Sequence, residues 1–396
     1  MNPLRAAFRE YYALRSRSIF VPRVDLREIM MVTFDGTVIR HVSVRNLESL
    51  RAMLAREAPR HAYYSVGLYE RPAAKSMAEK GLKAAEVLFD IDADHLGVDE
   101  CDYGLAWRCK SCGESGDGPS PDACPKCGSQ DLERLDWLSE GCLEAAKREA
   151  IRLLEILESD LGVSGEELMV YYTGHRGYHV RILSERFLGL GKEERRELAS
   201  HVSGLSFDPR EVFYVKGSAL ASPRADEGGW RGRVAREILR LLEESGRGKA
   251  ALPSSVAKRR EELVRALGEG VPLINPTPAL VRDLRRMAHE IVQARRVKID
   301  EMVTPDTSRL TRIPNSLHGK TGLRAMALSP DELRDFQPLR DAVGLSGDQI
   351  RVFTTAPVPR FRVKGESFGP YEPGVGVDLP MFAAALILLK GRGVIP

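Results

Sequence analysis

The sequence lacks a strong excess of charge of either sign. Its 396 residues carry 59 Lys and Arg against 56 Asp and Glu, which leaves a formal net charge of +3. A chain with this balance has no overall field that draws it to polyanions. Any affinity for nucleic acids or phosphates therefore has to come from local basic patches.

Long hydrophobic runs are lacking too. The longest, Met381–Leu389, is far shorter than the roughly 20 apolar residues that a transmembrane helix needs. The opening residues contain no apolar stretch typical of a signal peptide. These absences predict an intracellular, cytoplasmic protein without membrane contact.

Internal repeats and low-complexity tracts are likewise absent. Hydrophobic residues make up 43% of the chain and charged residues 29%, a composition typical of soluble globular proteins. A chain of this length can bury a substantial core and is expected to form more than one domain.

The strongest local pattern lies in Glu86–His95. Apolar and acidic side chains alternate there, which predicts a β-strand with Asp90 and Asp92 on one face. Residues i and i+2 of a strand lie about 6–7 Å apart, so the two carboxylates repel each other. A hard divalent cation such as Mg²⁺ would relieve that repulsion, although an acidic strand end leading into a solvated turn explains the same residues.

Strand and helix patterns alternate irregularly along the rest of the chain. Asp35-Gly36 between two apolar runs predicts a hairpin of Glu28–Phe34 and Thr37–Val44. Asn46–Glu57 is typical of a helix that is capped at its first residue. This mixture predicts an α+β fold, with a mixed, partly antiparallel sheet core and flanking helices.

Residues 185–295 differ from both sides of the chain, because they are rich in Glu and Arg and contain no clear strand pattern. The helices predicted in this region are Lys192–Ser203, Val234–Glu244, Ser254–Leu267 and Pro278–Arg295. The sequence thus predicts a helical subdomain at 185–295, inserted between the two parts of a sheet domain, 1–184 and 296–396. The second part is predicted to close with a helix at Leu379–Lys390.

Four of the six cysteines form two C-x-x-C pairs: Cys109, Cys112, Cys124 and Cys127. Two such pairs are typical of a closed tetrahedral zinc site, carried by an insertion at about residues 101–142. Two disulfides are the alternative, which an intracellular compartment disfavours. Cys101 and Cys142 have no C-x-x-C partner and are predicted to be buried free thiols.

A glycine-bearing turn, Thr173-Gly-His-Arg-Gly-Tyr-His179, separates two further predicted strands. Glycine lets a ligand approach the backbone closely, while Arg176 and His179 add a guanidinium and an imidazole. The segment could therefore bind a triphosphate. A simple hairpin explains the turn equally well, and His179 could be a buried core histidine.

Polar donors are also dense near the end of the chain. Asp300 ends a short apolar stretch that is predicted to be a strand, and Arg309, Arg312, His318 and Lys320 follow it. Each of these residues is ambiguous by itself. Their density around Pro-Asn-Ser-Leu-His-Gly predicts an anion-binding site.

Three of these stretches together resemble the motifs of the catalytic (small) subunit of archaeal and eukaryotic DNA primase: Phe89-Asp-Ile-Asp92, Thr173–His179, and Asp300 followed by Arg312–Gly322. Their order matches the family's, as does a zinc insertion directly after the paired aspartates. The resemblance extends from about residue 15 to the C-terminus and implies a primase-type core.

The resemblance implies a nucleotidyltransferase that makes short RNA primers for replication, and it leaves open whether DNA primers are made too. The implied substrates are nucleoside triphosphates on a single-stranded DNA template. The implied partner is a large primase subunit that forms a heterodimer with this chain, located at the nucleoid.

The resemblance also implies roles for single residues. Asp90, Asp92 and Asp300 would be the catalytic carboxylates that hold Mg²⁺ or Mn²⁺, in a two-metal nucleotidyl transfer. The nucleotide-binding residues would be Thr173, Arg176, His179, Arg312, His318 and Arg40.

Two departures from the family pattern are visible. Thr173 stands where the family usually has Ser, which keeps the hydroxyl. The family's Arg-Glu-Phe is compared with Arg17-Ser-Ile-Phe20, so that Ser18 takes the place of an acidic residue. The resemblance therefore does not carry over the role of that acidic residue in binding the initiating nucleotide.

Two other functions fit parts of the sequence. One is a repair-type primase-polymerase of the same superfamily, and the other is a non-enzymatic zinc-ribbon protein that binds nucleic acid. The zinc insertion and the C-terminal segment favour the replicative primase over the first. Aspartates that face a nucleic-acid groove oppose binding unless they hold a metal ion, which argues against the second.

Overall fold

The structure is a computed structural model that describes residues 2–97, 106–117, 120–135 and 137–396. Helices and short strands alternate irregularly in these ranges, which confirms the predicted α+β class. Every pairing between described strands is antiparallel.

The strands of the described ranges are short, and most have three to six residues. In chain order they are β1 Ile29–Val32, β2 Val38–Val42, β3 His61–Ser65, β4 Gly67–Tyr69, β5 Leu82–Ala85, β6 Val87–Asp92, β7 Ala106–Cys109, β8 Ser115–Asp117, β9 Leu132–Leu135, β10 Leu168–Tyr172, β11 Gly177–Ile182, β12 Tyr214–Lys216, β13 Ala219–Ala221, β14 Leu273–Ile274, β15 Leu310–Arg312, β16 Ala327–Leu328, β17 Gln349–Thr354, β18 Phe361–Val363, β19 Glu366–Phe368, β20 Gly376–Pro380 and β21 Gly393–Val394.

The helices of the same ranges vary from single turns to long helices. In chain order they are α1 Pro3–Arg15, α2 Leu47–Glu57, α3 Met77–Lys80, α4 Glu140–Leu161, α5 Glu185–Leu188, α6 Lys192–Val202, α7 Pro209–Val212, α8 Gly229–Gly246, α9 Ser254–Ala257, α10 Arg260–Glu269, α11 Pro278–Arg295, α12 Pro330–Asp335, α13 Pro338–Asp341 and α14 Met381–Leu389. No helix in the described ranges is both long and apolar enough to cross a membrane.

The chain divides into two compact units. The first consists of Met1–Ile151, Gly165–Arg195 and Lys298–Pro396, and the second of Arg152–Ser164 and Arg196–Val297. The division at residues 184/185 and 295/296 made from the sequence stays a prediction.

Two four-stranded sheets organise the first unit. The first sheet has the order β15-β3-β1-β2, and the second sheet has the order β16-β10-β11-β6. The predicted hairpin around Asp35-Gly36 is present as β1 and β2. Residues His61–Tyr69 form two strands, since β3 pairs within the first sheet and β4 pairs with β5.

One hydrophobic core covers the first sheet. Phe8 and Tyr12 of α1 and Leu50 and Leu54 of α2 are all fully buried there, together with Ile29 of β1. Helix α2 begins as predicted, because the Asn46 side chain accepts a hydrogen bond from a backbone N–H of the first turn. This core holds the first sheet rigidly from one side.

A buried ionic cluster lies beside the second sheet, at the start of β6. Arg27 and Arg181 both pair with Glu86, and all three side chains are almost completely buried. The guanidinium of Arg181 also lies 4.6 Å from the ring centroid of Tyr64 in β3. Removing one partner from such a cluster leaves a buried charge, which typically costs about 3–5 kcal/mol. The cluster therefore fixes the strand that carries Asp90 and Asp92.

The second unit consists of helices and one small sheet of β12, β13 and β14. Pro278–Arg295 forms a helix with the predicted bounds, whereas the predicted helix Val234–Glu244 is part of the longer α8. The predicted helix Ser254–Leu267 is interrupted at residues 258–259 and forms α9 and α10.

Candidate active site and four-cysteine cluster

The four cysteines of the C-x-x-C pairs converge in the first unit. Their sulfur atoms all lie within 4.8 Å of one another, with Cys109 Sγ 3.6 Å from Cys127 Sγ and Cys112 Sγ 3.6 Å from Cys124 Sγ. None of the four forms a disulfide. Four thiols in this arrangement could hold one tetrahedral metal ion.

The two C-x-x-C pairs close in the same way. The N–H of Gly113 donates to the carbonyl of Cys109, and the N–H of Gly128 donates to the carbonyl of Cys124, each at 2.9 Å. Both glycines have positive φ, 75° and 72°, which is the conformation for which glycine is favoured. The sequence pattern therefore encodes the turn as well as the ligands.

The electrostatics of the cluster favour a thiolate at Cys109, whereas the pKa values of Cys112 and Cys127 are raised. Burial works in the opposite direction, yet backbone N–H groups of Cys112 and Ser111 lower the pKa of the Cys109 thiol to about 6. Cys142 is buried and disulfide-bonded, so the prediction of a free thiol is wrong for it. Cys101 lies outside the described residues.

Asp90 and Asp92 end strand β6 as predicted. Both are half-buried, while the intervening Ile91 is fully buried, so the two carboxylates share the open face of the strand. Strand β11 pairs with β6 so that His179 is opposite Asp90 and Gly177 is opposite Asp92. A methyl group on Gly177 would lie 2.3 Å from the carbonyl oxygen of Ile91, so that only glycine fits opposite Asp92.

Asp300 lies beside Asp90 but not on a strand. Its N–H donates to the carbonyl of Asp90 at 2.8 Å, and its own carboxylate accepts from the N–H of Met302 at 3.0 Å. The predicted strand Val297–Asp300 is therefore wrong, since the segment is a loop that hydrogen-bonds to the end of β6. The three aspartates therefore lie at one edge of the second sheet.

Two basic side chains lie beside Asp90. His179 Nε2 lies 3.3 Å from one of its carboxylate oxygens, and an Arg309 guanidinium nitrogen lies 3.7 Å from the other. The second ring nitrogen of His179 lies 2.8 Å from the hydroxyl of Thr311 in β15. His179 thus connects the two sheets of the first unit at the aspartates.

The aspartates are not preassembled as closely as the cysteines. Within the described ranges, the four cysteines are the only set of three or more acidic, histidine or cysteine side chains with ligand atoms this close together. Carboxylates held on one strand face and on an adjacent loop nevertheless supply the oxygen ligands that Mg²⁺ and Mn²⁺ prefer. The donor set therefore fits divalent cations in a site that is completed by further ligands.

The turn between β10 and β11 lies next to these residues. The N–H of Thr173 donates to the carbonyl of Gly177 at 3.0 Å and closes the turn. Arg176 forms a hydrogen-bonded pair with Asp94, at 2.7 and 3.0 Å to its two carboxylate oxygens. Arg176 also donates to the carbonyl of Trp137 at 3.3 Å. The guanidinium is thus held at the surface of the site by groups from two other segments.

The loop after β15 packs directly against this turn. The ring of His318 is stacked on the ring of His175, with centroids 5.0 Å apart and an interplanar angle of 3°. His61 of β3 meets His318 edge-on at 5.2 Å, and Arg312 lies 3.0 Å from His61 Nδ1. Three histidines and an arginine therefore line one face of the site.

The hydrogen bonds of two of these histidines define which nitrogen carries the proton. Nδ1 of His318 accepts from the N–H of Lys320 at 3.1 Å, and Nδ1 of His61 accepts from the N–H of Gly319 at 3.3 Å. In each neutral ring the proton is therefore assigned to Nε2. Both rings are hydrogen-bond donors at Nε2, as an anion requires.

The histidines are uncharged at neutral pH. Burial, followed by the charge of Arg312, lowers the pKa of His61 to about 3 and that of His318 well below its usual range. Burial and the nearby ammonium of Lys390 lower the pKa of His175 to about 3. Burial thus keeps the imidazoles neutral, and the neighbouring cations act in the same direction. Cations beside neutral hydrogen-bond donors favour a multivalent anion.

Arg40 is apart from this cluster. It is exposed on β2, at the far edge of the first sheet from β15, and its guanidinium lies 3.3 Å from the buried carboxylate of Glu28. Ser18, which takes the place of the family's acidic residue in the predicted comparison, donates its hydroxyl to the carbonyl of Arg15.

Sequence reasoning missed several residues of the site. His175 lies inside the motif that was recognised, between Gly174 and Arg176, and its position alone could have identified it. Asp94 lies two residues after Asp92 in the stretch Glu86–His95, so its position could also have identified it. His61 and Lys390 carry no sequence signal, because segments distant in the chain bring them to the site.

The comparisons with known proteins agree with the predicted family. Residues 131–329 match the family model described as the DNA primase small subunit. The chain is 34% identical over 391 residues to the DNA primase small subunit PriS of Cenarchaeum symbiosum, covering 98% of this chain and 96% of that protein. It is 32% identical over 425 residues to PriS of Natronomonas pharaonis, with the same coverage.

The chain therefore belongs to the DNA primase small subunit family, which confirms the resemblance drawn from the three motifs. Among solved structures, the polymerase domain of Mycobacterium tuberculosis ligase D in complex with DNA aligns over 84% of this chain and 83% of that chain. Its TM-score of 0.33 and sequence identity of 12% are too low to inform the site.

Proposed function

We propose that this chain is the catalytic subunit of a DNA primase, which makes short RNA primers on a single-stranded DNA template. The observation that supports this most directly is that an acidic region and a cationic region lie side by side. Asp90, Asp92 and Asp300 lie at the edge of the second sheet, and His179 contacts both Asp90 and Thr311 of β15. The same strand carries Arg312, which lies beside the histidines.

The aspartates would hold the catalytic metal ions. Asp90, Asp92 and Asp300 offer carboxylate oxygens from one strand face and one adjacent loop, and Mg²⁺ or Mn²⁺ would bind there. Such ions neutralise charge that develops on attacking and leaving oxygens. Arg309 and His179 lie next to Asp90 and would orient its carboxylate within the site.

The cationic face would bind the triphosphate of the incoming nucleotide. Arg176 and Arg312 supply guanidinium groups, and His318 supplies a donor at Nε2. Thr173 and the glycines of its turn would place hydroxyl and backbone N–H groups near the phosphates. Positioning the α-phosphate against the primer 3′-oxygen is where much of the rate of such a transfer arises. Arg40 lies apart from these residues and is proposed to contact another part of the nucleotide or template.

The four cysteines would hold a structural zinc ion. All four ligand positions are protein thiols, which leaves no open position for a substrate. A large primase subunit is the proposed partner, because the chain belongs to a family of small subunits.

The test is primer synthesis by the purified chain, with and without a co-expressed large subunit. Unprimed single-stranded DNA is supplied with ribonucleotides or deoxynucleotides and Mg²⁺ or Mn²⁺. Labelled products that depend on the template support the proposal, and short ribonucleotide products separate an RNA primase from a DNA-synthesising repair enzyme. DNA binding without synthesis under every condition would overturn the proposal in favour of a non-enzymatic binding protein.

Two variants locate the triphosphate. Arg176→Ala and His318→Ala should raise the nucleotide KM by about ten- to a hundredfold, since each charge-assisted hydrogen bond contributes roughly 1.5–3 kcal/mol. Arg176→Lys should rescue only partly, because an ammonium cannot make the same paired contacts. Arg351→Ala, at a surface pair with Asp378, is the matched control. Loss of DNA affinity with unchanged nucleotide affinity would assign these residues to the template groove instead.

A further inference from the structure

Thr311 is a buried threonine of β15 to which neither the motifs nor the proposed function assigns a role. It is only 2% exposed, and a buried hydroxyl costs free energy unless it is hydrogen-bonded. A valine would have nearly the same shape and would avoid that cost. Within the described ranges, the hydroxyl of Thr311 has one hydrogen-bond partner, Nδ1 of His179 at 2.8 Å. The polar side chain at this position therefore serves that contact.

The pairing of the strands holds the contact in place. Thr311 is opposite Tyr64 in the first sheet, and His179 is opposite Tyr171 in the second sheet. The hydroxyls of the two tyrosines lie 3.4 Å apart, so the two registered pairs meet at two points. The ring of His179 is therefore contacted from a backbone position that both sheets fix.

His179 extends from this threonine to the aspartates. While Nδ1 meets the hydroxyl of Thr311, Nε2 lies 3.3 Å from a carboxylate oxygen of Asp90. An ionised carboxylate only accepts hydrogen bonds, so Nε2 has to carry a proton for this second contact to be favourable. In the neutral ring Nδ1 is then the acceptor, and the hydroxyl of Thr311 is the donor.

The ring of His179 needs such an anchor. The torsion that turns an imidazole is broad rather than confined to staggered wells, so a ring without a partner at Nδ1 can turn Nε2 away from Asp90. Successive side chains of a strand point to opposite faces, and the next residue, Arg312, lies 3.0 Å from Nδ1 of His61. Strand β15 therefore holds one side chain at the histidine beside the aspartates and the next at the cationic face.

We propose that Thr311 is a positioning residue for the aspartate site formed by Asp90, Asp92 and Asp300. Its hydroxyl donates to Nδ1 of His179 and keeps the ring turned so that Nε2–H is directed toward Asp90. Thr311 acts through His179 rather than on the substrate. This inference rests on the proposed function, because it takes Asp90 to be a ligand of the catalytic metal ions.

The experiment observes the two ring nitrogens of His179 directly by NMR. The purified chain is labelled with heavy nitrogen in its histidines, and the resonances of His179 are identified by their loss in His179→Gln. Spectra are recorded without added Mg²⁺ at about pH 8.5, well above the ordinary imidazole pKa of about 6.5. The nitrogen shifts show which nitrogen carries the proton and whether the other accepts a hydrogen bond. Primer synthesis is measured on the same preparations.

Two variants separate the hydroxyl from the shape of the side chain. Thr311→Val removes the hydroxyl and keeps the shape, whereas Thr311→Ser keeps the hydroxyl. The matched control is Thr354→Val, because Thr354 is also 2% exposed and donates its hydroxyl to the backbone carbonyl of Glu372. It lies on β17, which pairs with β20 and β21 in a different sheet.

In the wild type the proton should be on Nε2, and Nδ1 should be a hydrogen-bonded acceptor. Thr311→Val should lose the hydrogen-bonded signal at Nδ1, and synthesis should fall about two- to tenfold, the effect of one net hydrogen bond. Thr311→Ser should keep the signal and most of the activity. Thr354→Val should match the wild type in both measurements, although it too loses a buried hydrogen bond.

The negative outcomes are distinguishable. A wild-type ring with its proton on Nδ1, or with both nitrogens protonated, would contradict the inference without any variant, so the test holds even if Thr311→Val fails to fold. An unchanged Nδ1 signal or unchanged synthesis in Thr311→Val would also overturn it. A wild type that makes no primers while its nitrogen signals are as expected would overturn the proposed function, and with it the catalytic purpose of the contact but not the contact itself.

Discussion

The molecule contains two candidate metal sites built on different principles. Four cysteines lie with their sulfur atoms within 4.8 Å of one another, ready to surround an ion completely. Three aspartates meet at the edge of the second sheet, and their carboxylates bond to their own surroundings, Asp300 to Met302 and Asp90 to His179. A metal site whose ligands are all protein side chains is typical of a structural role, whereas a site with positions left for substrate or water is typical of catalysis.

The largest effect should come from the aspartate site, which is the open site of the two because it accepts further ligands. Asp90→Asn keeps the shape of the side chain and removes the charge that would hold a metal ion, so we expect primer synthesis to fall by about 10³-fold or more. The free energy of unfolding should change by less than about 1 kcal/mol, because only partly exposed ion pairs are lost. Primer assays and urea denaturation on the same preparations measure both quantities.

Asp378→Asn, at an exposed pair with Arg351, is the control for the loss of one carboxylate. If Asp90→Asn lowered the free energy of unfolding enough to explain the loss of synthesis, Asp90 would have a structural role like that of the cysteines, and the two sites would not differ in the proposed way. Near-normal synthesis would remove Asp90 from the proposed site.

The four cysteines form the closed site, in which all ligands would come from the protein. Its variants should lose stability first, and activity only as a consequence. Cys112→Ser and Cys124→Ser should lose the bound metal and lower the thermal midpoint, because a structural zinc ion contributes several kcal/mol to folding. Metal analysis and calorimetric melting are the measurements, and any fall in synthesis should follow the fraction unfolded.

Ser111→Ala is the matched control, since Ser111 lies within the first C-x-x-C pair and its hydroxyl lies 2.8 Å from the hydroxyl of Ser129 rather than at a cysteine sulfur. One zinc ion per chain retained in a Cys109→Ser/Cys124→Ser double variant would rule out the assignment. Unchanged stability with lost activity would assign the cluster to template or partner contacts instead.

A third variant tests how precisely the backbone holds the open site. Gly177→Ala would place a methyl group 2.3 Å from the carbonyl oxygen of Ile91, which forces β11 away from β6 beside Asp92. We expect synthesis to fall by about ten- to a hundredfold, since small misplacements of reacting groups have effects of this size.

Gly189→Ala is the control, because a methyl group there meets no atom within 4 Å. Full activity in Gly177→Ala would show that the position of Asp92 relative to β11 is not needed for the chemistry.

The two sites also differ in how far the sequence could predict them. The cysteine spacing and its glycines predict ligands and turns together, because all the information is local. Strand β6 and the turn at Thr173–Gly177 were likewise visible as local patterns. The predicted strand at Val297–Asp300 was wrong, since Asp300 is held by a hydrogen bond to the distant Asp90 that no local pattern indicates.

The histidine-lined face shows the same limit. His318 was predicted from the motif around it, but its neighbour His61 is 251 residues from Arg312 in sequence and meets it only through the pairing of β3 with β15. Arg40 was grouped with this face by resemblance, whereas the structure pairs it with Glu28 at the other edge of the sheet. Roles of the individual residues stay predictions until the variants are measured.

The smallest expected effect concerns the protonation of this face in acid. The folded state keeps His61 and His175 neutral down to a pKa of about 3, whereas the unfolded chain protonates them near 6.5. Between these values the unfolded state binds more protons than the folded state. The contribution of these two histidines to the free energy of unfolding is therefore most favourable above pH 6.5 and falls as the pH is lowered toward 3. Each pKa unit of difference corresponds to about 1.4 kcal/mol.

Urea denaturation at pH 7, 6 and 5 measures this slope in the wild type and in His175→Gln. Because acid also protonates the cysteine thiolates of the closed site, the informative quantity is the difference between the two slopes, which should be shallower in the variant. His289→Gln, at an exposed position of α11, should keep the wild-type slope. Equal slopes in His175→Gln and the wild type would show that His175 titrates alike in the folded and unfolded chains. The electrostatic contrast between the open and closed sites would then rest on the aspartates alone.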